Sequence, residues 1–189
     1  MGMYKLCKTE QSARRQRQME LGLLDMMLQH RYEDISVSDL CDHLGIPRKS
    51  FYRYFSSKDG ALYALLDHTM MEFFHATGSV KEFTPGSQLG DLDRYFAFWR
   101  KQEKLLDALQ HNRLAGILVE RAMNLALRER LMPGSIRTLS PELQQLAMSF
   151  SVCGLLSMVI SWHNQKFRIS PAEMTKIAMN MLTKQLIEI

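Results

Sequence analysis

Between Leu44 and Lys58 the chain carries four cations, Arg48, Lys49, Arg53 and Lys58, and no acid. Ser50, Tyr52 and Tyr54 lie among them and add hydroxyl donors. Cations and hydroxyls at this density make a surface that attracts phosphate. A charge run alone is usually only a solvated face, so its meaning depends on the elements that present it. Other chemistries have weaker claims. The six histidines lack tight ligand spacing, with His68 and His75 two helical turns apart, and no metal site is expected. The motifs GxSxG, GxxxxGK[ST] and HExxH are absent, as is a Gly-rich dinucleotide loop, so no enzyme and no cofactor are expected.

The elements that position the basic segment can be read locally. Ser36 followed three residues later by Asp39 is a capping box, and Ile35 with Leu40 supplies the apolar staple of a helix start. The spacing predicts a helix over Val37–His43 that ends at Gly45, and a second over Pro47–Tyr54 begun by the proline. A short helix, a glycine turn and a second short helix form a helix-turn-helix. Leu40, Leu44, Phe51 and Phe55 make its apolar seam. Arg48, Lys49, Ser50, Tyr52 and Arg53 are left on the free side, with Arg48 and Lys49 at the end that a recognition helix turns to base edges.

The stretch from Ile35 to Lys58 resembles the DNA-binding domain of the TetR family of transcriptional regulators. The resemblance lies in Ser36-Val37, Asp39, Leu40-Cys41, Gly45, Tyr52-Arg53-Tyr54-Phe55 and Ser57-Lys58, and it extends back through Met19, Gly22, Leu23, Met26 and Met27 to Tyr32. It implies that Arg48, Lys49 and Ser50 face bases while Ser36, Tyr52, Tyr54 and Lys58 anchor phosphates of a palindromic double-stranded operator. Three slots depart from the pattern: Pro47 replaces a Ser or Thr, Lys49 a frequent Gly, and Arg31 a Gly.

Over the whole chain of 189 residues, 46% are hydrophobic and 23% charged, which excludes disorder. The net charge of +4 is informative only where it is local, with Arg14, Arg15 and Arg17 adding to the basic segment from the first helix. Apolar residues recur at three and four and proline falls between the periodic segments, so the expected class is all-α. Helices are expected over Glu10–His30, Ser57–Ala76, Asp91–Gln110, Asn112–Arg130, Pro141–His163 and Pro171–Glu188. The organisation expected is a three-helix helix-turn-helix DNA-binding domain over residues 1–60, with its motif at 36–55. A helical effector-binding and dimerisation domain over 61–189 follows.

From Leu143 to Gln165 there is no Lys, Arg, Asp or Glu. Gln144, Gln145, Ser149 and His163 make the segment too polar for a membrane span, and a helix covered on two sides is expected, with Phe150, Leu155, Met158 and Trp162 inward. By the resemblance, it and the last helix (Ile177, Met181, Leu182, Leu186) pair with their two-fold mates in a homodimer. Phe96, Trp99, Leu118, Arg121 and Met148 are candidates to line a cavity for a small apolar or amphipathic effector, Arg121 neutralising a carboxylate or pairing with a neighbouring Glu. The same stripes also read as plain core. Nine of the 14 methionines follow residue 60 and suit an adaptable apolar surface. Three widely spaced cysteines and an opening segment without an apolar stretch fit a cytoplasmic protein. The resulting expectation is a repressor released by its effector, with an activator or an effector-independent DNA-binding dimer of the same fold as the alternative.

Overall fold

The computed structural model describes residues 3–77, 88–128 and 138–183. Among them the chain is all-helical, with α1 (Glu10–Met27), α2 (Val37–Leu44), α3 (Arg48–Tyr52), α4 (Lys58–Thr77), α5 (Gln88–Arg100), α6 (Glu103–His111), α7 (Ala115–Arg128), α8 (Pro141–Asn164) and α9 (Pro171–Thr183). A single 3₁₀ turn, Tyr32–Asp34, precedes α2, and an isolated antiparallel bridge joins Tyr4 to Phe55.

Two compact units form. The first comprises Met1–Met70 and Lys104–Arg121, the second Met71–Glu103 and Ala122–Ile189. The division at Glu103 coincides with a break the sequence does not announce. Apolar spacing predicts one helix from Asp91 to Gln110, but the N–H groups of Lys101 and Gln102 bond three residues back, to the Phe98 and Trp99 carbonyls at 3.0 Å. That tighter turn ends α5, and Arg100 spans it to Glu103 at 2.9 Å.

In the first unit, Leu23, Met27, Leu40, Phe51, Phe55, Leu62, Leu65 and Leu66 are fully buried. Each contributes about 1.5–3 kcal/mol through the area it removes from water. Leu109 of α6 and Leu118 of α7 are buried in the same unit. Gly22 lets α1 approach α2, because a Cβ there would lie 2.6 Å from Leu44 Cδ2. Asn112, just beyond α6, fixes the exit from α1: its Oδ1 accepts from the Tyr32 N–H at 2.5 Å and its Nδ2 donates to the Met27 carbonyl at 2.9 Å.

The second unit is built on aromatic contacts. Phe96 meets Trp162 edge-on at 5.9 Å, Trp162 meets Phe167 at 4.7 Å, and the Trp162 indole donates to the Ile169 carbonyl at 3.0 Å. Trp99 and Trp162 are each 2% exposed. Helix α9 begins with a second capping box, in which Ser170 Oγ accepts from the Glu173 N–H at 3.2 Å and the Glu173 carboxylate accepts from the Ser170 N–H at 2.7 Å.

By length and composition α8 is long and apolar enough to cross a membrane, with mean hydropathy 1.6. One of its faces is open from end to end: Leu143, Leu146, Phe150, Gly154, Ser157 and Ser161 are all exposed and recur at intervals of three and four. The expectation that Phe150 packs inward is therefore corrected. Phe150 is 69% exposed because it falls on the stripe of Leu146 and Gly154, whereas Trp162 falls on the buried side. On α9, Ile177 and Met181 are likewise exposed. Leu186 lies outside the described residues, as does the expected continuation of α9 to Glu188.

Candidate nucleic-acid interface

The helix-turn-helix is held by local chemistry. Ser36 Oγ accepts from the Asp39 N–H at 3.1 Å while Asp39 Oδ2 accepts from the Ser36 N–H at 2.9 Å, closing the capping box that starts α2. These bonds hold the Asp39 carboxyl below its ordinary pKa. Gly45 ends α2 at φ 63° and ψ 35°, the left-handed conformation that a side chain would strain. The Ile46 N–H returns to the Cys41 carbonyl at 2.9 Å, and α3 follows at once. Pro47 is its N-cap and offers no side-chain hydrogen bond.

Helix α3 divides sharply. Phe51 is fully buried, and it stacks on Phe55 at 5.1 Å between ring centres. Arg48, Lys49, Tyr52 and Arg53 are exposed, which places them at i, i+1, i+4 and i+5 on one open face. Tyr52 lies one helical turn from Arg48, and its hydroxyl raises the pKa of the guanidinium further. Ser50 is half-buried at the edge of a cleft of about 270 Å³, where Arg15, Gln18 and Arg53 rim a floor that includes Met19 and Leu44.

The three arginines of α1 therefore have different surroundings. Arg14 pairs with Glu10 at 2.6 Å and Arg17 with Glu20 at 3.1 Å, while no acid among the described residues pairs with Arg15. Arg15 and Arg53, far apart in sequence, thus share one opening with Ser50. Their juxtaposition was not legible beforehand, because it depends on how α1 crosses α3.

Two of the expected phosphate anchors are placed otherwise. Tyr54 is 8% exposed and forms part of the cleft wall instead of standing on the open face. Lys58 turns inward: its Nζ donates to the Ile35 carbonyl at 2.6 Å and to that of Tyr32, and it lies 4.2 Å from the Tyr32 ring centre. It ties the turn before α2 to the first turn of α4, and burial lowers its pKa. Ser36, Arg48, Lys49 and Tyr52 remain exposed and Ser50 half-exposed. A basic helix with an arginine and a tyrosine one turn apart on its free face can grip phosphate and present forked donors to a base edge.

The candidate effector residues fall in different units. Leu118 and Arg121 belong to the first, Phe96, Trp99 and Met148 to the second. Arg121 is already satisfied by protein: its Nε donates to Asp67 Oδ1 at 2.9 Å and its Nη2 to Oδ2 at 2.5 Å, so it does not await a ligand carboxylate. Phe96, Trp99 and Met148 are buried. Tyr95, on the same aromatic stretch of α5, is also a cavity candidate by sequence. Phe73, Phe96 and Trp99 surround its ring, and its hydroxyl is buried with no hydrogen-bond partner among the described residues.

A helix-turn-helix with a basic outer face is the form of a DNA-binding regulator, and the comparisons agree. Residues 24–65 match the family described as bacterial regulatory proteins, tetR family. The N-terminal helix-turn-helix domain is therefore of the tetR-family type. None of the curated proteins matches its sequence. Among solved structures, the fatty acid degradation regulator FadR from Bacillus halodurans is similar over 96% of this chain and 98% of its own, at 16% identity and a TM-score of 0.58. The dihydroxyacetone kinase operon activator DhaS is similar over 88% and 93%, at 14% identity and 0.58. The TetR family repressor AlkX from Dietzia sp. is similar over 88% and 94%, at 18% identity and 0.53. These likenesses establish the fold.

Proposed function

We propose that the protein is a dimeric repressor in the cytoplasm that holds a palindromic operator and leaves it when a small apolar or amphipathic effector binds. Residues 1–60 would hold the DNA, and 61–189 would take the effector and the second copy. The observation that carries the reading is the exposed face of α3, with Arg48, Lys49, Tyr52 and Arg53 in one patch opposite the buried Phe51. Arg48 and Lys49 would read bases; Ser36, Tyr52, Arg15 and Arg53 would hold phosphates.

The open stripe of α8 supports a second copy. Large apolar residues at its start (Leu143, Leu146, Phe150) give way to Gly154, Ser157 and Ser161, and a spacing of three and four is that of a helix-helix seam. A two-fold partner covers such a face with the same face, and a two-fold protein suits a palindrome. The Tyr95 hydroxyl supports the effector. A buried donor without a partner among the described residues is costly in the free protein, and a ligand oxygen entering among Phe73, Trp99 and Phe98 would satisfy it.

The name of DhaS favours a second reading, that of an activator, whereas AlkX is named a repressor. Selection of genomic fragments bound by the full chain, followed by transcription from the recovered promoters with and without the protein, separates the two. A repressor lowers transcription and an activator raises it; failure to retain any sequence above random fragments rejects both.

A further inference from the structure

Before α1 the chain forms a short extended segment that a periodicity argument passes over. Tyr4 pairs with Phe55 in the isolated bridge: the Lys5 N–H donates to the Tyr54 carbonyl at 2.8 Å and the Ser56 N–H to the Met3 carbonyl at 3.1 Å. Ser56 Oγ donates to the same Met3 carbonyl at 3.0 Å. Tyr54–Ser56 is the link that leaves α3 and enters α4, so this segment grips the joint that sets the direction of the recognition helix. The other side of the joint is fitted just as closely. A Cβ on Gly60, in the first turn of α4, would lie 2.2 Å from the Met3 carbonyl oxygen.

The segment is latched at its far side by side chains from two other helices. The Tyr4 hydroxyl donates to Asp67 Oδ2 on α4 at 2.5 Å, and the Arg121 guanidinium on α7 closes on both oxygens of that carboxylate. The ring of Tyr4 stands edge-on to His68 at 5.7 Å, and the Arg121 guanidinium lies over the Tyr63 ring at 4.8 Å. Gln16 Nε2 of α1 holds the Lys5 carbonyl at 3.1 Å. Arg121 thus fixes the carboxylate, the carboxylate fixes Tyr4, and Tyr4 fixes the backbone beside Phe55.

We propose that Met3–Cys7 is a positioning arm for the recognition helix, held in place by the Tyr4–Asp67–Arg121 relay. The role rests on the reading of α3 as the DNA-facing helix. Tyr4 and Arg121 touch no DNA in it; they act by fixing the Tyr54–Ser56 joint. The basic face of α3 then meets the operator already oriented, and loss of the relay adds an ordering cost to each binding event.

The test uses the full chain with Tyr4→Phe, Arg121→Lys, their double variant and Gly60→Ala. Amide exchange at Lys5 and Ser56 reads the arm directly and needs no DNA, with the Ile46 amide of the turn as the internal reference. The DNA probe is a duplex selected from a random pool by the unmodified chain. Tyr4→Phe keeps the ring and deletes a hydrogen bond to a carboxylate, so exchange at Lys5 and Ser56 rises about tenfold while Ile46 is unchanged. Affinity for the duplex falls about five- to tenfold.

Arg121→Lys, which loses the two-pronged grip, produces the same pattern from a position 117 residues further along the chain. The double variant is no worse than the worse single one. Gly60→Ala opens both amides although alanine favours a helix interior. Unchanged exchange at Lys5 in Tyr4→Phe overturns the relay, and so does strict additivity of the two substitutions. An arm that opens with no loss of DNA affinity overturns the positioning role. A chain that selects no duplex removes the DNA reading and with it that role, while exchange still reports whether the arm is docked.

Discussion

Arg121 and Asp67 meet in a two-pronged pair inside the first unit, where the carboxylate is only 2% exposed and the guanidinium 17%. A carboxylate so placed depends on its cation. Arg121→Met should cost about 3–5 kcal/mol of stability, since removal of one partner leaves a buried charge uncompensated. The double variant with Asp67→Asn should recover part of the loss. Urea unfolding of the four chains checks this, and a single Arg121→Met variant as stable as the parent contradicts it.

Lys58 and the pair Arg15 and Arg53 should separate stability from DNA binding. Lys58→Met removes a donor from backbone carbonyls, so it should lower stability by about 1–3 kcal/mol. Arg15→Ala and Arg53→Ala should leave stability within about 0.5 kcal/mol and weaken binding to all duplexes alike. Each should reduce the slope of log affinity against log salt by about 0.9. Titrations at several salt concentrations, beside thermal melts, give both quantities.

The two capping boxes make acid sensitivity local. The carboxyls of Asp39 and Glu173 are held below their ordinary 3.8 and 4.5 by hydrogen bonds from Ser36 and Ser170. A lowered pKa in the folded state means that the unfolded chain takes up the proton more readily. The stabilisation is therefore complete above the ordinary carboxylate range and is lost as pH falls through the lowered folded value. Ser36→Ala should flatten that dependence for α2 and leave the dependence from Glu173 intact. Exchange of α2 and α9 amides across the acid range tests this.

Tyr95→Phe should raise the melting temperature, because it deletes a buried hydroxyl that has no hydrogen-bond partner among the described residues, while the ring contacts with Phe73 and Trp99 persist. The same substitution should weaken any effector that offers an oxygen to that hydroxyl. A paired titration with butyrophenone and butylbenzene, alike in size but differing in the carbonyl, is the measurement. The parent should prefer the ketone, and Tyr95→Phe should lose that preference.

Phe150→Glu should yield a monomer in sedimentation at micromolar concentration, since it places a charge on the open stripe of α8 without disturbing a buried residue. Operator affinity should then fall steeply. Thermal stability measured well below the dimer range should be nearly unchanged, which distinguishes a lost interface from a damaged helix.

What could be read beforehand was what neighbours in sequence decide. The Ser36–Asp39 box, the left-handed Gly45 and the Ser170–Glu173 box are all settled within four residues, and each lies where the spacing places it. The basic face of α3 follows, because helical phase alone puts Phe51 inside and Arg48, Lys49 and Tyr52 outside. What escaped depends on distant partners or on turns without a marker residue. No proline or glycine stands between Arg100 and Glu103, so nothing announces the end of α5. Lys58 looked like a phosphate ligand because its acceptors are the carbonyls of Tyr32 and Ile35, and backbone carbonyls leave no trace in a charge pattern. Arg121 looked available because Asp67 lies 54 residues away. Tyr4 sits in a segment too short for any period to be counted.

The chain has two tryptophans, Trp99 and Trp162, and both are buried in the second unit. The first unit, with the helix-turn-helix, contains none. Selective excitation of indole therefore makes a protein with one dark and one luminous part. Changes in emission report events around α5 and α8, whereas the helical signal in circular dichroism reports both units. Comparison of the two during unfolding, or on addition of DNA or a ligand, assigns a transition to one unit or the other without attaching any label.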